Sequence, residues 1–318
     1  MTGVELDPEA GAAPVRLRSQ ELPREFLEVS TWRGTADALA IWVGVALVAA
    51  AARWIDAWWA LLLALPLVGA LQNRLMVLWH HAIHQNLHPR KAVNDALARW
   101  LLIAPMGQPF GAMHRAHYRH HLRLGHADDP DRWYYDLDLH GRRDPRRFVR
   151  FMVTSCLGGL LVPQVRKLLT GKRDEEFDPG LGTGETDGYD RFSVVLAQAV
   201  LWGVFWLGHG HWWSYFALWA LPAVTFGAGF NTVRTVLEHA DPGDPPEQQL
   251  SFRPDWLERT FVAPLRMDHH WEHHLLMRVP YYRMPALRRL LLERGAYGEG
   301  RLLGTYRERA RAIVRAAR

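Results

Sequence analysis

Four long apolar segments, almost free of charged residues, follow one another along the chain as two pairs. They cover about residues 37–54, 56–79, 191–209 and 211–234. A helix needs about 20 apolar residues to cross the hydrocarbon core of a bilayer, and these segments approach or reach that length. Short polar turns join the members of each pair, which predicts two helical hairpins. A buried soluble hairpin is the alternative for the first pair, whose uncharged stretches are the shorter ones. The pattern as a whole predicts an all-α integral membrane protein with four transmembrane helices.

Two further apolar runs, residues 100–113 and 151–165, contain glycine and proline at positions that interrupt a helix. We therefore expect re-entrant or interface-lying segments at both places. Such irregular backbone is tolerated at membrane depth where protein covers it.

The distribution of Lys and Arg predicts the orientation in the membrane. With two hairpins, both termini and residues 74–191 and 234–318 share one side, which carries nearly all the basic residues. The opposite turns contain only Arg53. The positive-inside rule then places both termini and a helical cap in the cytosol. The predicted divisions are a cytosolic N-terminal segment (1–35), a membrane domain (36–290) and a basic C-terminal helix (291–318).

The amino-acid composition narrows the classes of metal site and binding partner that the chain can have. The 15 tryptophans flank the apolar runs, as is typical of residues at a membrane interface. Cys156 is the single cysteine, which excludes an internal disulfide and a cysteine-based metal cluster. The net charge of +5 comes from bases scattered around apolar segments. This pattern favours anionic lipid or an acidic partner protein over nucleic acid.

Histidines form three clusters on the side that carries the basic residues. Residues three or four apart share a face of a helix, so each cluster directs two or three imidazoles to one point. Neutral imidazoles bury poorly and charged ones repel, so this density indicates metal ligands. The ligands predicted from the clusters are His80, His84, His117, His120, His121, His270, His273 and His274. His81 points to another face of its helix, and we expect it and His114 to contact the ligands rather than the metal.

His239 is a ninth candidate ligand, because the last apolar helix must return to the cytosol beside the helix that carries the first cluster. Glu238 could then accept the second N–H of a neighbouring imidazole. Imidazole suits iron, zinc and copper alike. Eight or nine histidines suit two ions, and a pair of iron ions is the natural use, because one iron cannot supply all the electrons that split dioxygen.

The three motifs His80/His84, His117/His120/His121 and His270/His273/His274 closely resemble those of the membrane fatty acid desaturase superfamily. The neighbouring residues fit as well: Asp129-Pro130-Asp131 after the second motif, Arg234 with Glu238 and His239, and Pro280 after the third. The similarity covers roughly residues 37–290. The resemblance adds Asp131 to the residues expected beside the ligands. One departure is His81, at a position that is often acidic in the family.

The resemblance implies a non-haem di-iron enzyme that uses O2 and two electrons to remove hydrogen from an unactivated C–H bond of a fatty-acyl or lipid-like substrate. No fused cytochrome segment and no cysteine cluster is present, so electrons would come from a separate ferredoxin, rubredoxin or cytochrome. The nearest alternative is a hydroxylase, ketolase or oxidative decarboxylase acting on a lipid-like or natural-product substrate. A zinc-dependent membrane hydrolase is the alternative from another class of enzyme.

Overall fold

The computed structural model describes residues 21–124, 126, 128–132, 144–170, 186–239, 249–297 and 301–316, and these residues form helices joined by short connections. In the described part the only β-pairing is two isolated bridges, His239 with Gln249 and Ser251 with Leu302. The helices are α1 (Arg33–Ile55), α2 (Trp58–Ile83), α3 (Lys91–Leu97), α4 (Phe110–Arg123), α5 (Pro145–Cys156), α6 (Leu161–Thr170), α7 (Gly188–His209), α8 (Phe216–Glu238), α9 (Trp256–Phe261), α10 (His270–Leu275), α11 (Met284–Glu293) and α12 (Tyr306–Ala316).

Four of these helices, α1, α2, α7 and α8, are long and apolar enough to cross a membrane. Within the described residues the prediction of an all-α chain with four such helices is confirmed, and their observed ends differ from the predicted ones by a few residues. Much of their apolar surface faces outward, as lipid-facing helices require. Leu47 on α1, for example, is 65% exposed and Leu207 on α7 is 87% exposed.

Local backbone geometry explains where these helices end. The chain turns from α1 into α2 within two residues, because Asp56 adopts a left-handed conformation (φ 49°) that closes α1. Gly210 closes α7 in the same way, with a φ of 76°. Helix α8 contains π-helical turns at Phe216–Ala220 and Ala223–Gly227 before its regular last part.

Helices α2 and α8 touch at a glycine. A Cβ on Gly69 would lie 2.5 Å from the Cβ of Phe226 and 2.9 Å from the backbone nitrogen of Gly227. Only glycine therefore permits this close approach. His80 follows Gly69 by eleven residues and His239 follows Gly227 by twelve, and at 1.5 Å per residue both rise about 17 Å from the contact. The contact thus brings the first histidine cluster and His239 to the same level.

The two interrupted apolar runs end helices as their glycines suggested. Gly107 (φ 74°) lies between the π-helical turn Ala98–Ile103, which continues α3, and the start of α4. Gly158 (φ 85°) lies between α5 and α6. The turn at Gly158 lies against Thr225, in the middle of α8. Residues 151–165 therefore reach the level of the spanning helices without forming a span of their own.

The C-terminal part differs from the single basic helix expected for residues 291–318. The chain instead forms α11 and α12, separated by a break at Gly295, which has a φ of 62°. Ala296 and Tyr297, which follow this glycine, are buried. The break therefore lets α11 pack against α10 and lets α12 reach the last spanning helix. Residues 1–20 of the predicted N-terminal segment, and residues 298–300 and 317–318, lie outside the described part.

Candidate metal centre

The nine predicted ligands come from four helices that meet at one end of the spanning helices. Helix α2 carries His80 near its end, and His84 is the residue that caps it. Helix α4 supplies the second cluster, α10 supplies the third, and His239 caps α8. The structure divides most of these side chains into two sets, each with ligand atoms within 4.8 Å of one another.

The first set, called here the four-histidine group, consists of His80, His84, His117 and His273. The Nε2 atoms of His80 and His273 are 2.8 Å apart, and those of His84 and His117 are 3.0 Å apart. Each of the three clusters contributes to this group, and three of its members are buried.

The second set, called here the three-histidine group, consists of His120, His239 and His274. His270 lies beside it, with its ring centroid 5.0 Å from that of His239 and 4.5 Å from that of His274. His121 lies between the two groups. Its ring centroid is 4.6 Å from that of His117 in one group and 4.3 Å from that of His274 in the other.

The spacing of the nitrogens fits metal ions better than hydrogen bonds. The Nε2 atom of His117 is 3.0 Å from both the Nε2 of His84 and the Nε2 of His121. One imidazole nitrogen carries a single proton or a single lone pair, so it cannot satisfy both neighbours. Two nitrogens bound at right angles to one ion, each at ~2.0–2.1 Å, would be separated by about 3 Å.

The electrostatic environment keeps most of these imidazoles in the neutral form that binds metals. Burial lowers the pKa of His121 to about 3, and the neighbouring imidazole of His120 adds to the effect. Burial, followed by repulsion from adjacent imidazoles, also holds the pKa values of His117, His273 and His274 well below the usual range. His120 is different: although burial opposes it, the carboxylates of Asp131 and Asp129 raise its pKa.

Hydrogen bonds fix which ring nitrogen faces inward in the second set. The Nδ1 atom of His239 is 2.7 Å from the carbonyl oxygen of Thr235, so this nitrogen donates and Nε2 keeps the lone pair. The Nδ1 atom of His120 is 2.9 Å from Oδ1 of Asp129. The Nδ1 atom of His270 is 3.3 Å from Oε2 of Glu238. The contacts of His239 and His120 are the arrangement in which a metal-ligating imidazole holds its second N–H. The contact of His270 with Glu238 is a close approach without a hydrogen bond.

Glu238 is fully buried and joins several elements. Its Oε2 atom is 3.2 Å from Nη1 of Arg234, which balances its charge. The hydroxyl of Tyr306, on α12, donates to its Oε1 atom at 2.7 Å. Glu238 also lies beside an imidazole, that of His270.

The other residues expected beside the ligands differ in their positions. Asp131 is 3.7 Å from Nδ1 of His120 and is farther from it than Asp129. His81 is buried, and its ring stacks on that of Tyr281 with centroids 4.9 Å apart. His114 packs on Tyr118, with ring centroids 5.0 Å apart.

Sequence reasoning missed two positions that support the site. Asp129 was noticed only as part of a motif, although it makes the shorter contact with His120. Glu272 lies between ligands of the third cluster and is fully buried. Its carboxylate accepts from Arg288 Nε and from the Tyr297 hydroxyl, both at 2.5 Å, and from the Ser251 hydroxyl. Its position inside the third cluster was the available signal, because a buried acid among histidines needs partners.

Comparisons with known proteins agree with this geometry. The family model described as fatty acid desaturase matches residues 56–305, which is more than half of the chain. The chain is also 24% identical to the dihydrorhizobitoxine desaturase of Bradyrhizobium elkanii over 253 residues. That alignment covers 76% of this chain and 70% of the relative.

Proposed function

Since this chain belongs to the fatty acid desaturase family, we propose that it is a membrane-bound non-haem di-iron oxidoreductase that uses O2 and two electrons to introduce a double bond into a fatty-acyl or lipid-like chain. The observation that carries the proposal is the convergence of nine histidines, seven of them in two adjacent groups, with His270 beside one group and His121 between the two. A single four-coordinate ion, as in the alternative zinc hydrolase, would need about half of these side chains.

The proposed reaction balances in atoms and in charge. One CH2–CH2 unit, O2, two electrons and two protons give one CH=CH unit and two molecules of water. The iron ions, when bound, supply the reduction of O2 and the abstraction of hydrogen from carbon. The protein supplies position and exclusion of water, because the reacting carbon must lie beside the metals and nowhere else.

The ligand assignment follows the two groups. We assign His80, His84, His117 and His273 to one ion, and His120, His239, His270 and His274 to the other. His121 lies between them and can serve either ion. Asp129 and the carbonyl of Thr235 accept the Nδ1–H groups of His120 and His239, and so keep their Nε2 atoms directed to the metal. Glu238 lies 3.3 Å from Nδ1 of His270 and places a carboxylate beside that ligand.

Desaturation is preferred to hydroxylation, ketolation or decarboxylation because the relative from Bradyrhizobium elkanii is named as a desaturase. A direct test is anaerobic loading of the purified chain with iron and a reductant, followed by O2 and a panel of lipids. Mass spectrometry should find products that have lost two hydrogens. Products that have gained one oxygen would instead establish the hydroxylase. Activity with one bound zinc and no O2 would establish the hydrolase.

Two hairpins with both termini and the metal centre in the cytosol complete the proposal, and a separate one-electron carrier protein would deliver electrons there. The positive charge that surrounds the apolar segments suits an acidic carrier. The orientation can be tested in a variant whose Cys156 is replaced by Ser. A cysteine at His211 should react with an impermeant reagent outside the cell, and a cysteine at His126 should react only after permeabilisation. The reverse pattern would contradict the orientation.

A further inference from the structure

A wedge-shaped cavity of about 720 Å³ opens between α1 and α7, near the ends of the spanning helices that lie away from the histidines. Its walls are apolar, with Val45 and Ala46 on one side and Leu201 and Phe205 on the other. In a membrane such a space cannot remain filled with water, because apolar walls offer water no hydrogen bonds.

The floor of the cavity is held in place by specific contacts. The ring of Trp42 stacks on that of Trp219, with centroids 5.1 Å apart, and its Nε1 donates to the carbonyl of Leu101 at 2.9 Å. At the other end, Nε2 of His209 is 2.9 Å from the carbonyl oxygen of Ala49, which joins α7 to α1. The wedge is therefore a feature of the fold and not a gap that closes by a small rotation of α1.

Tryptophans mark the depth of the cavity mouth. Trp54 lines the mouth and is 86% exposed, and Trp58, at the start of α2, is 74% exposed. Trp206 and Trp212 lie exposed around the end of α7. Exposed tryptophans are typical of the level of the lipid headgroups. The mouth thus opens at headgroup level and the wedge extends from there toward the bilayer centre.

Two opposite charges stand at this mouth. Arg53 and Asp56 both line the cavity and are both exposed. Within the described part of the chain, neither side chain forms an ion pair with another residue. A cation and an anion three residues apart, above an apolar wedge, match a headgroup that carries both charges.

We propose that this cavity binds one acyl chain of a zwitterionic phospholipid, phosphatidylethanolamine in particular, from the leaflet opposite the metal centre. The phosphate would bind Arg53, and the ammonium group would bind Asp56. Arginine is well suited to phosphate oxygens, and a primary ammonium can donate to a carboxylate. The proposal needs the four helices to span a membrane, but it does not depend on iron or on the reaction.

The apolar part of the site can be tested by filling the wedge. Ala50→Leu adds a side chain inside the cavity, and Ala51→Leu adds the same side chain at the same depth on another face of α1. Both residues are exposed, so neither change disturbs the packed interior. Native mass spectrometry of the metal-free chain, taken from mixed-lipid nanodiscs into detergent, should find one retained phosphatidylethanolamine on wild type and Ala51→Leu. Ala50→Leu should retain about tenfold less, because the chain no longer fits.

Variants of Arg53 and Asp56 test how the headgroup binds. Arg53→Gln should reduce retention of phosphatidylethanolamine and of phosphatidylglycerol alike, because both contain the phosphate. Asp56→Asn should reduce the preference for phosphatidylethanolamine over phosphatidylglycerol by about tenfold, which corresponds to one lost charge-assisted contact. Asn is tolerated at the left-handed conformation of residue 56, so this change leaves the turn intact.

Equal retention by Ala50→Leu and Ala51→Leu would overturn the site. A wild-type preference for phosphatidylglycerol, or a preference for phosphatidylethanolamine that survives in Asp56→Asn, would overturn the assignment of the headgroup. Because lipid retention is read on metal-free protein, a failure here is distinct from a failure of the proposed oxidoreductase.

Discussion

The four-histidine group and the three-histidine group consist of the same kind of side chain but lie in different surroundings. Around the three-histidine group, Asp129 and Glu238 lie within 2.9 and 3.3 Å of the Nδ1 atoms of His120 and His270. Among the described residues, no carboxylate pairs with any member of the four-histidine group. The side chains that neighbour the four-histidine group are aromatic instead. His81 is one of these neighbours, and its ring stacks on that of Tyr281.

The two groups therefore differ in the negative charge that lies beside their ligands. A carboxylate that accepts the Nδ1–H of an imidazole makes that imidazole a stronger ligand and contributes negative charge near the ion. The three-histidine group has this support, and only Arg234 offsets part of it. We therefore expect its ion to bind more tightly, and the ion of the four-histidine group to be lost first when metal is removed. Two unequal sites in one centre should also give two distinct iron signals in a Mössbauer spectrum.

The largest effect should follow from removing a ligand of one group that also contacts His121, the histidine between the two groups. His117 belongs to the four-histidine group, and its Nε2 is also 3.0 Å from that of His121. His117→Ala should cost at least one of the two ions and abolish turnover, as measured by iron analysis and product formation. His126→Ala is the control, because His126 is exposed and lies outside both groups. Full iron content and turnover in His117→Ala would exclude His117 as a ligand.

A smaller, one-sided effect is expected from Asp129→Asn. The amide keeps the size of the side chain but loses the charge that supports His120. The three-histidine group should then bind its ion roughly 10- to 100-fold more weakly, and the signal of the other ion should not change. Chelator titration followed by Mössbauer spectroscopy measures both.

Asp128→Asn provides the matched control for that experiment. Asp128 is adjacent in sequence but exposed, and it pairs with Arg119 and Arg123 on the surface. Its replacement should leave both ions unaffected, since exposed ion pairs contribute little. Equal weakening of both ions by Asp129→Asn would contradict the division into two groups with different surroundings.

The residues that support the ligands also show which features of the site could be predicted from the sequence and which could not. The four spanning helices and the three histidine clusters could be predicted, because apolar runs and helical spacing are local properties. His239 could be proposed because a helix that returns across the membrane must arrive near the first cluster. The sequence did not show that Gly69 permits the close contact with Gly227 that brings His239 level with His80.

Partnerships between distant residues were not predictable in the same way. Glu272 accepts from Ser251, Arg288 and Tyr297, which are separated from it by loops and by the turn after α11. The C-terminal residues were expected to form one basic helix, because their many arginines suit a helical pattern. The positive φ of Gly295 instead ends α11, and α12 begins where Tyr306 can reach Glu238.

Glu238→Gln should weaken the three-histidine group less than Asp129→Asn does, because the contact to His270 is longer. We expect a loss of affinity of about tenfold and a clear fall in Tm, since Arg234 is buried and would lose its counter-charge. The double variant Arg234→Gln/Glu238→Gln separates the two effects. It should recover much of the Tm and leave the metal affinity low. Recovery of the affinity as well would show that Glu238 acts only through Arg234.

The smallest effect should come from Tyr306→Phe, which removes one hydrogen bond to Glu238 and keeps the ring that stacks on Phe252 at 4.1 Å between centroids. Glu238 keeps its contact with Arg234, which holds its side chain in place. We expect a loss of about 1 kcal/mol in the free energy of unfolding, a change in affinity of the three-histidine group smaller than that of Glu238→Gln, and no change in the four-histidine group. Differential scanning calorimetry and the same chelator titration measure these quantities.

An effect on affinity as large as that of Glu238→Gln would mean that α12, through the Tyr306 hydroxyl, sets the position of the carboxylate. A change in the four-histidine group would mean that the surroundings of the two groups are coupled, and the expected order of metal loss would no longer follow from Asp129 and Glu238 alone.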